Sequence, residues 1–165
     1  MRTIAHIELT PATGNLTDLY RQYVGEYPKF FKMDLLSKVG LVASEMLLQQ
    51  VSEERFVPRE DRAIVLAGRY GCIHNDRAYE ATIQPENYFP SPSLFVYTLP
   101  NAVTAEIAIR NKYLGETMYY ALSDESQLAP LIEATLNERT SSVLGGWIEA
   151  RDKEQYIAKL NIWTR

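Results

Sequence analysis

A short, wholly apolar segment places the strongest constraint on the fold of this chain. Residues 63–67 read Ala-Ile-Val-Leu-Ala and contain no polar side chain that could face water. A strand with one wet face alternates polar and apolar residues, whereas a strand covered on both faces is apolar throughout. The segment therefore predicts a central strand inside a layered domain.

Strands and helices alternate along the chain on either side of this segment. The predicted strands are residues 3–9, 63–67, 117–122, 141–148 and 156–163. The predicted helices are residues 15–24, 34–50, 101–113 and 126–138. Only a charged turn separates the last two strands, which predicts an antiparallel pair. The order of elements predicts an α/β domain with a mixed five-stranded sheet packed against helices.

Polar residues and glycines mark the ends of these elements. Asn15 and Asp34 each precede a helix and can accept hydrogen bonds from the free N–H groups of its first turn. Gly115 follows the third predicted helix, where glycine often adopts the left-handed conformation that ends a helix. Gly68 and Gly71 follow the central strand and predict a tight turn. No Gly-Lys-Ser/Thr sequence follows them, so a phosphate-binding loop is not expected.

The composition fits a single domain over residues 1–165 and disfavours several classes of function. With 165 residues, 46% of them hydrophobic, the chain is long enough to bury a core. Seventeen basic and 21 acidic residues give a net charge of −4 without a run of like charge. That balance argues against a nucleic-acid-binding surface. No apolar stretch approaches the roughly 18 residues of a membrane span.

The N-terminus and the single cysteine bear on the cellular compartment. Glu8 interrupts the first apolar run, which is therefore not expected to be a signal peptide. One cysteine excludes an internal disulfide and indicates a reducing cytoplasm. Two histidines and one cysteine disfavour a zinc site built from soft ligands. No dinucleotide-binding motif is present, and we expect no cofactor.

Two neighbouring segments carry a resemblance to a known family. Residues 101–110 read Asn-Ala-Val-Thr-Ala-Glu-Ile-Ala-Ile-Arg, and residues 115–124 read Gly-Glu-Thr-Met-Tyr-Tyr-Ala-Leu-Ser-Asp. This succession of a small-residue helix, a glycine and a buried strand resembles the β-ketoacyl synthase family. Weaker similarity at residues 31–37 and 142–146 extends the resemblance over nearly the whole chain. It implies one half, the N-terminal one, of the thiolase-like fold.

In that family a reactive cysteine follows the strand, and the resemblance places Asp124 at its position. Condensation there uses a thiolate at a helix N-terminus and histidines from the second half, which would lie beyond the end of this chain. A carboxylate is a poor acyl acceptor because the mixed anhydride is unstable. A shift of one or two residues would place Ser123 or Ser126 there, and none restores a cysteine. We favour the interpretation that Ser123 or Asp124 caps a helix, and we lean against an enzyme.

Cys72 and His74 offer an alternative catalytic site. They are two residues apart, so in an extended segment both side chains would face the same way and could form a thiolate–imidazolium pair. A lone cysteine is more often a small buried residue, and an isolated histidine is more often solvated or hydrogen-bonded. The pair is therefore the alternative catalytic candidate, and the structural interpretation of both residues is preferred.

The resemblance also implies an interface. In the family the strand equivalent to residues 117–122 pairs with its counterpart across a dimer axis, and a solitary half would leave a sheet edge and an apolar helix face uncovered. The candidate interface residues are Thr117, Met118, Tyr119, Tyr120 and Leu122. For each tyrosine taken singly, ordinary sheet packing is the slightly favoured interpretation. We expect a homo-oligomer or a heteromer with a ketosynthase, with an acyl carrier protein as a further candidate partner.

Three functions follow as hypotheses. The first is a non-catalytic ketosynthase-like subunit or accessory factor in fatty-acid-type or polyketide-type chain assembly, such as an aryl-polyene-type pigment pathway. The second is an acyl-transfer enzyme that uses Cys72 and His74. The third is a module that binds an acyl group or an acyl carrier protein without chemistry.

Overall fold

A computed structural model describes residues 1–86 and 88–165, and in them the predicted α/β architecture is confirmed. The strands are β1 (Arg2–Leu9), β2 (Arg62–Gly68), β3 (Thr117–Ala121), β4 (Ser142–Asp152) and β5 (Gln155–Thr164). The helices are α1 (Leu16–Tyr23), α2 (Leu35–Leu48), α3 (Ile73–Glu80), α4 (Pro92–Phe95), α5 (Ala102–Asn111) and α6 (Leu128–Thr135). Short 3-10 turns cover Pro11–Thr13, Pro28–Lys32 and Glu125–Gln127.

All five strands form one mixed sheet in the order β1-β5-β4-β2-β3. Strand β2 pairs in parallel with β3 and with β4, whereas β5 pairs antiparallel with β4 and with β1. Every residue of β2 is buried, as its apolar sequence predicts. Strand β3 lies at one edge of the sheet, and β1 lies at the other.

The two faces of the sheet are covered unequally. The larger core cluster joins one face to α1, α2 and α5, with Leu41, Ile64 and Ile107 fully buried in it. The smaller cluster joins the opposite face to α6 through residues such as Ile132 and Trp147. Because α6 is only eight residues long, side chains beyond its reach are only partly buried.

Helix α2 lies in the middle of the larger layer. All but one of its residues are buried, including the polar Ser37, Ser44 and Glu45. Its N-terminus is capped as predicted, since the Asp34 carboxylate accepts a hydrogen bond from the Ser37 N–H at 3.1 Å. Asn15 caps α1 in the same way. Other parts of the same chain therefore enclose α2. The uncovered helix face that the resemblance implies is not a face of this helix.

The prediction that Gly115 ends α5 in a left-handed conformation is wrong. Lys112, and not Gly115, adopts the left-handed conformation, with φ 57°. Gly115 is required by a close approach instead, because a Cβ there would lie 2.3 Å from the backbone oxygen of Arg62. The turn between α5 and β3 thus packs directly against the backbone at the start of β2.

Other boundaries also differ from the sequence-based predictions. Helix α3 was not predicted, and it begins directly after Cys72. The predicted helix over residues 126–138 is shorter, because the Asn137 amide oxygen accepts the Arg139 and Thr140 N–H groups in a turn. Strands β4 and β5 extend through the predicted charged turn and leave only residues 153–154 between them. No helix in the described residues is long and apolar enough to cross a membrane.

Candidate functional site

The carboxyl ends of the parallel strands β2 and β3 lie beside the middle of β4, on the side of the sheet where ligands often bind in open α/β folds. Arg69 connects these three strands. Its guanidinium donates to the Ser123 carbonyl oxygen at 2.6 and 3.1 Å, and its backbone N–H donates to Glu149 Oε1 at 3.1 Å. Sequence reasoning missed Arg69, because a single arginine in a turn carries no motif.

Asp124 lies at this edge as a helix cap. Its carboxylate accepts the Ser126 N–H at 2.9 Å, and Gln127 Oε1 accepts the Asp124 N–H at 3.2 Å. Gln127 Oε1 also accepts hydrogen bonds from the N–H and the hydroxyl of Ser123. These hydrogen bonds match the capping interpretation, because the polar groups of the turn bond to one another.

The environment of Asp124 does not resemble that of an activated nucleophile. Residues 123–127 are exposed, and a 3-10 turn separates Asp124 from α6. Hydrogen bonding with Ser126 lowers the pKa of the Asp124 carboxyl below its usual range. At neutral pH the group is therefore an ionised, hydrated carboxylate, which can cap a helix or accept a hydrogen bond.

Cys72 is not in the extended segment that a Cys72–His74 pair would need. It precedes the first turn of α3, and its thiol donates to Asp76 Oδ1 at 3.3 Å. Burial, together with the nearby Asp76 carboxylate, raises the pKa of the Cys72 thiol to about 12. His74 lies on the first turn of α3. The raised pKa keeps the Cys72 thiol protonated at neutral pH.

The side chains of β3 divide between the two faces of the sheet. Tyr119 packs against the larger core cluster, and its hydroxyl lies 3.5 Å from the Ile148 carbonyl oxygen. Burial raises the pKa of Tyr119, so its hydroxyl remains protonated. Tyr120 and Leu122 pack against the smaller cluster, and the Tyr120 hydroxyl contacts Met118 Sδ at 2.8 Å. Thr117 begins the strand and is partly buried.

The outer edge of β3 carries backbone groups that are unpaired in the described residues, at the strand for which the resemblance implies an uncovered sheet edge. Ile64 N–H donates to the Glu116 oxygen, and Leu122 N–H donates to the Gly68 oxygen. Alternation along a parallel ladder therefore directs the N–H and C=O groups of Thr117, Tyr119 and Ala121 away from β2. In the described part of the chain, β3 pairs with β2 and with no second strand. The side of β3 that faces away from β2 is therefore an open sheet edge.

Comparison with solved structures finds a chain in the complex of the ketosynthase ApeO with its chain length factor ApeC from Xenorhabdus doucetiae. The TM-score is 0.66 over 99% of this chain and 79% of that chain, at 11% sequence identity. No protein-family model matches this sequence, and no curated protein matches it. The protein has a ketosynthase-like, thiolase-type fold. At this level of identity the likeness concerns the fold, and it confirms the α/β thiolase-like half that the sequence resemblance implies.

Within this ketosynthase-like fold, the acidic and thiol groups do not assemble a metal centre. Across residues 1–86 and 88–165, no group of three or more His, Cys, Asp or Glu side chains is placed to hold a metal ion. Cys72 and Asp76 bond to each other, while Asp124 caps its own turn.

We expect Cys72 to react slowly with thiol reagents at neutral pH. Its thiol pKa is raised from 9.0 to about 12, so the thiolate fraction falls roughly a thousandfold below that of an unperturbed thiol. Stopped-flow measurement of modification by a disulfide reagent, on the folded protein and in denaturant, measures the difference. The variant Asp76→Asn removes the adjacent charge and should react faster than the parent. Comparable rates for the folded and unfolded protein would restore Cys72 as a catalytic candidate.

Proposed function

We propose that this protein is a non-catalytic, ketosynthase-like subunit or accessory factor in fatty-acid-type or polyketide-type assembly of acyl chains. It acts by associating with a second copy or with a ketosynthase in the cytoplasm, and residues 1–165 form a single β-ketoacyl synthase N-terminal-like domain. The observation that carries the proposal is the fold likeness to a chain from a ketosynthase–chain length factor complex. An aryl-polyene-type pigment pathway is one setting for such a subunit.

The open edge of β3 supports an associating role. Its outward N–H and C=O groups are a template for pairing with another strand, and natural proteins usually cover or disrupt such edges. In β3 itself, residues 117–121 include no proline and no charged residue that would discourage pairing. A partner strand added here would extend the sheet by backbone hydrogen bonds, largely independent of side-chain identity.

A second surface feature supports association. Between β2 and α5, large apolar side chains are exposed in close succession. They are Tyr88 at 70%, Phe89 at 84%, Phe95 at 60%, Val96 at 62% and Leu99 at 68% exposed. Groups of exposed large apolar side chains often mark surfaces that contact partners. The exposed segment and the β3 edge together favour a subunit over an isolated monomer.

The chemistry at the carboxyl edge favours a non-catalytic subunit. The position that the family resemblance assigns to the nucleophile carries the exposed carboxylate of Asp124. The one thiol, Cys72, is buried, hydrogen-bonded to Asp76 and protonated. Neither group is prepared for acyl transfer, which needs a nucleophile activated by a base or by a lowered pKa.

The proposal predicts that disrupting the β3 edge abolishes association. Proline at position 121 removes an outward N–H group, and edge strands tolerate proline. Ala121→Pro should therefore fold, with a free energy of unfolding within about 1 kcal/mol of the parent value. The parent protein should form a dimer, or a complex with a co-expressed ketosynthase, at roughly 20 μM in sedimentation experiments. Ala121→Pro should sediment as a monomer and should not copurify with the ketosynthase.

The matched control is Ala121→Gly, which changes the same exposed side chain but keeps the N–H group. It should associate like the parent protein. A strictly monomeric parent that also fails to bind a ketosynthase contradicts the proposal, and so does association that survives Ala121→Pro. Copurification with an acyl carrier protein alone, without a ketosynthase, favours the acyl-carrier-binding module instead.

A further inference from the structure

A partly open cavity lies away from the β3 edge, and polar and apolar side chains both line it. Its volume is about 450 Å³, within the range usual for ligand pockets. The start of α1, the start of α2 and the turn between β4 and β5 contribute its lining. Three separate parts of the chain therefore converge on one concave surface.

Two lysines at this cavity have no carboxylate partner in the described residues. Lys38 from α2 and Lys153 from the β4–β5 turn both line it, and neither lies within 4.0 Å of a carboxylate oxygen in residues 1–86 or 88–165. Burial lowers the pKa of Lys38; the Asp34 carboxyl opposes that shift, and the charge of Lys153 adds to it. Two positively charged side chains therefore lie at one cavity. A bound anion would compensate their charge.

The backbone adds a weaker positive contribution at the same place. Residues at the N-terminus of α1, namely Asn15, Leu16 and Thr17, also line the cavity. The Asn15 side chain already accepts the N–H groups of Thr17 and Asp18, so the helix contributes its dipole more than free donors. One acidic side chain, Glu154, is part of the lining. This balance suits a ligand with one negative charge better than a dianion.

The remaining walls are apolar and rigid. Phe30 is 2% exposed and stacks on Tyr20 at a ring-centroid distance of 4.2 Å, and Phe31 meets Phe30 edge-on at 5.4 Å. Leu35 and Tyr156, both buried, complete this wall. Phe31 keeps 58% of its surface exposed although it lines the cavity, so a face remains available for stacking.

We propose that this cavity binds a small monocarboxylate with an aromatic or compact apolar body. The carboxylate lies between Lys38 and Lys153, and the apolar body packs against the exposed face of Phe31. An ionised ligand compensates the two ammonium charges, and an apolar body uses the Phe31 ring. This site does not depend on the β3 edge, so its test is separate from that of the proposed association.

Benzoate is the probe, with benzamide as its uncharged isostere and inorganic phosphate as an anion without an apolar body. Titration monitored by ¹H–¹⁵N NMR, up to about 10 mM ligand, covers weak affinities. Benzoate should shift the resonances of Lys38, Lys153 and Phe31 in a saturable manner. Benzamide and phosphate should each bind at least roughly tenfold more weakly, as expected when a charge-assisted contact or the apolar contact is lost.

The double variant Lys38→Met and Lys153→Met removes both charges and keeps most of the aliphatic length. Its benzoate affinity should fall at least roughly tenfold. Lys32→Met, at an exposed position outside the cavity lining, is the matched control for net charge and should bind like the parent. Undetectable benzoate binding overturns the proposal. Equal binding of benzamide or phosphate, or undiminished binding by the double variant, also overturns it.

Discussion

Glu45→Gln is expected to lower the free energy of unfolding by about 3 kcal/mol, because it leaves buried guanidinium charges without their counter-ion. The Glu45 side chain is 2% exposed. Both of its oxygens lie 3.0 Å from Arg55 Nη2, and Oε1 lies 3.7 Å from Arg110 Nε. Asn111 donates to the same oxygen at 3.3 Å. One carboxylate thus joins α2, the loop after α2, and α5.

The side chains around Glu45 explain why glutamine cannot replace it. The neutral amide has the same shape but leaves Arg55 and Arg110 facing each other with no negative charge between them. Both guanidinium groups also lie over the Phe56 ring, at 4.9 and 4.8 Å from its centroid, which restricts their escape into solvent. Their side chains retain 21% and 16% exposure, so the expected loss is at the lower end of the range for buried ion pairs.

Urea unfolding followed by circular dichroism measures this effect. The matched control is Glu54→Gln, at an exposed position in the same loop, where a change within about 0.5 kcal/mol is expected. A Glu45→Gln variant as stable as the Glu54→Gln variant would show that the buried network contributes little. Glu45→Asp, which keeps the charge but shortens the side chain, should lie between the two.

Gly145→Ala is expected to destabilise the protein by about 3 kcal/mol or more, because the methyl group collides with the backbone at the centre of the sheet. Gly145 pairs with Val65 on β2, and a Cβ there would lie 2.0 Å from the Val65 carbonyl oxygen. No rotamer change can relieve a contact with backbone. The β2–β4 ladder would have to separate where both strands are fully buried.

The control for this substitution separates collision from backbone conformation. At Gly25 an added Cβ has nothing within 4 Å, but φ is +75°. Gly25→Ala should therefore cost only the left-handed strain, about 1–2 kcal/mol. Thermal unfolding should show a fall of at least roughly 6 °C for Gly145→Ala. A smaller fall than that of Gly25→Ala would mean that the ladder adjusts without losing its hydrogen bonds.

Local sequence signals predicted those elements whose causes are themselves local. Asn15 and Asp34 were identified as helix caps because a cap needs only a short polar side chain beside free N–H groups. The apolar segment of β2 predicted a strand covered on both faces, and it is buried throughout. The cap at Asp124 follows from the same local chemistry.

Predictions failed where distant parts of the chain decide the local structure. Gly115 was expected to end α5, but its lack of a side chain is needed against Arg62, about fifty residues earlier in the chain. The hypothesis of a Cys72–His74 pair needs an extended segment. Instead the segment begins α3, and Asp76 on that helix accepts a hydrogen bond from the Cys72 thiol. The Arg69 contacts with Ser123 and Glu149 connect the segments after β2 and β3 to β4, and no sequence motif predicts these contacts.

Local sequence signals predict the α/β class, the central strand and the helix caps. Each of these depends on residue type and on neighbours a few positions away. The tertiary structure alone decided the strand order, the outward direction of the Ala121 N–H group and the convergence of Lys38 and Lys153 on one cavity. Those features arise from pairings between residues 53 to 162 positions apart, whose geometry is fixed only when the sheet and its helices pack.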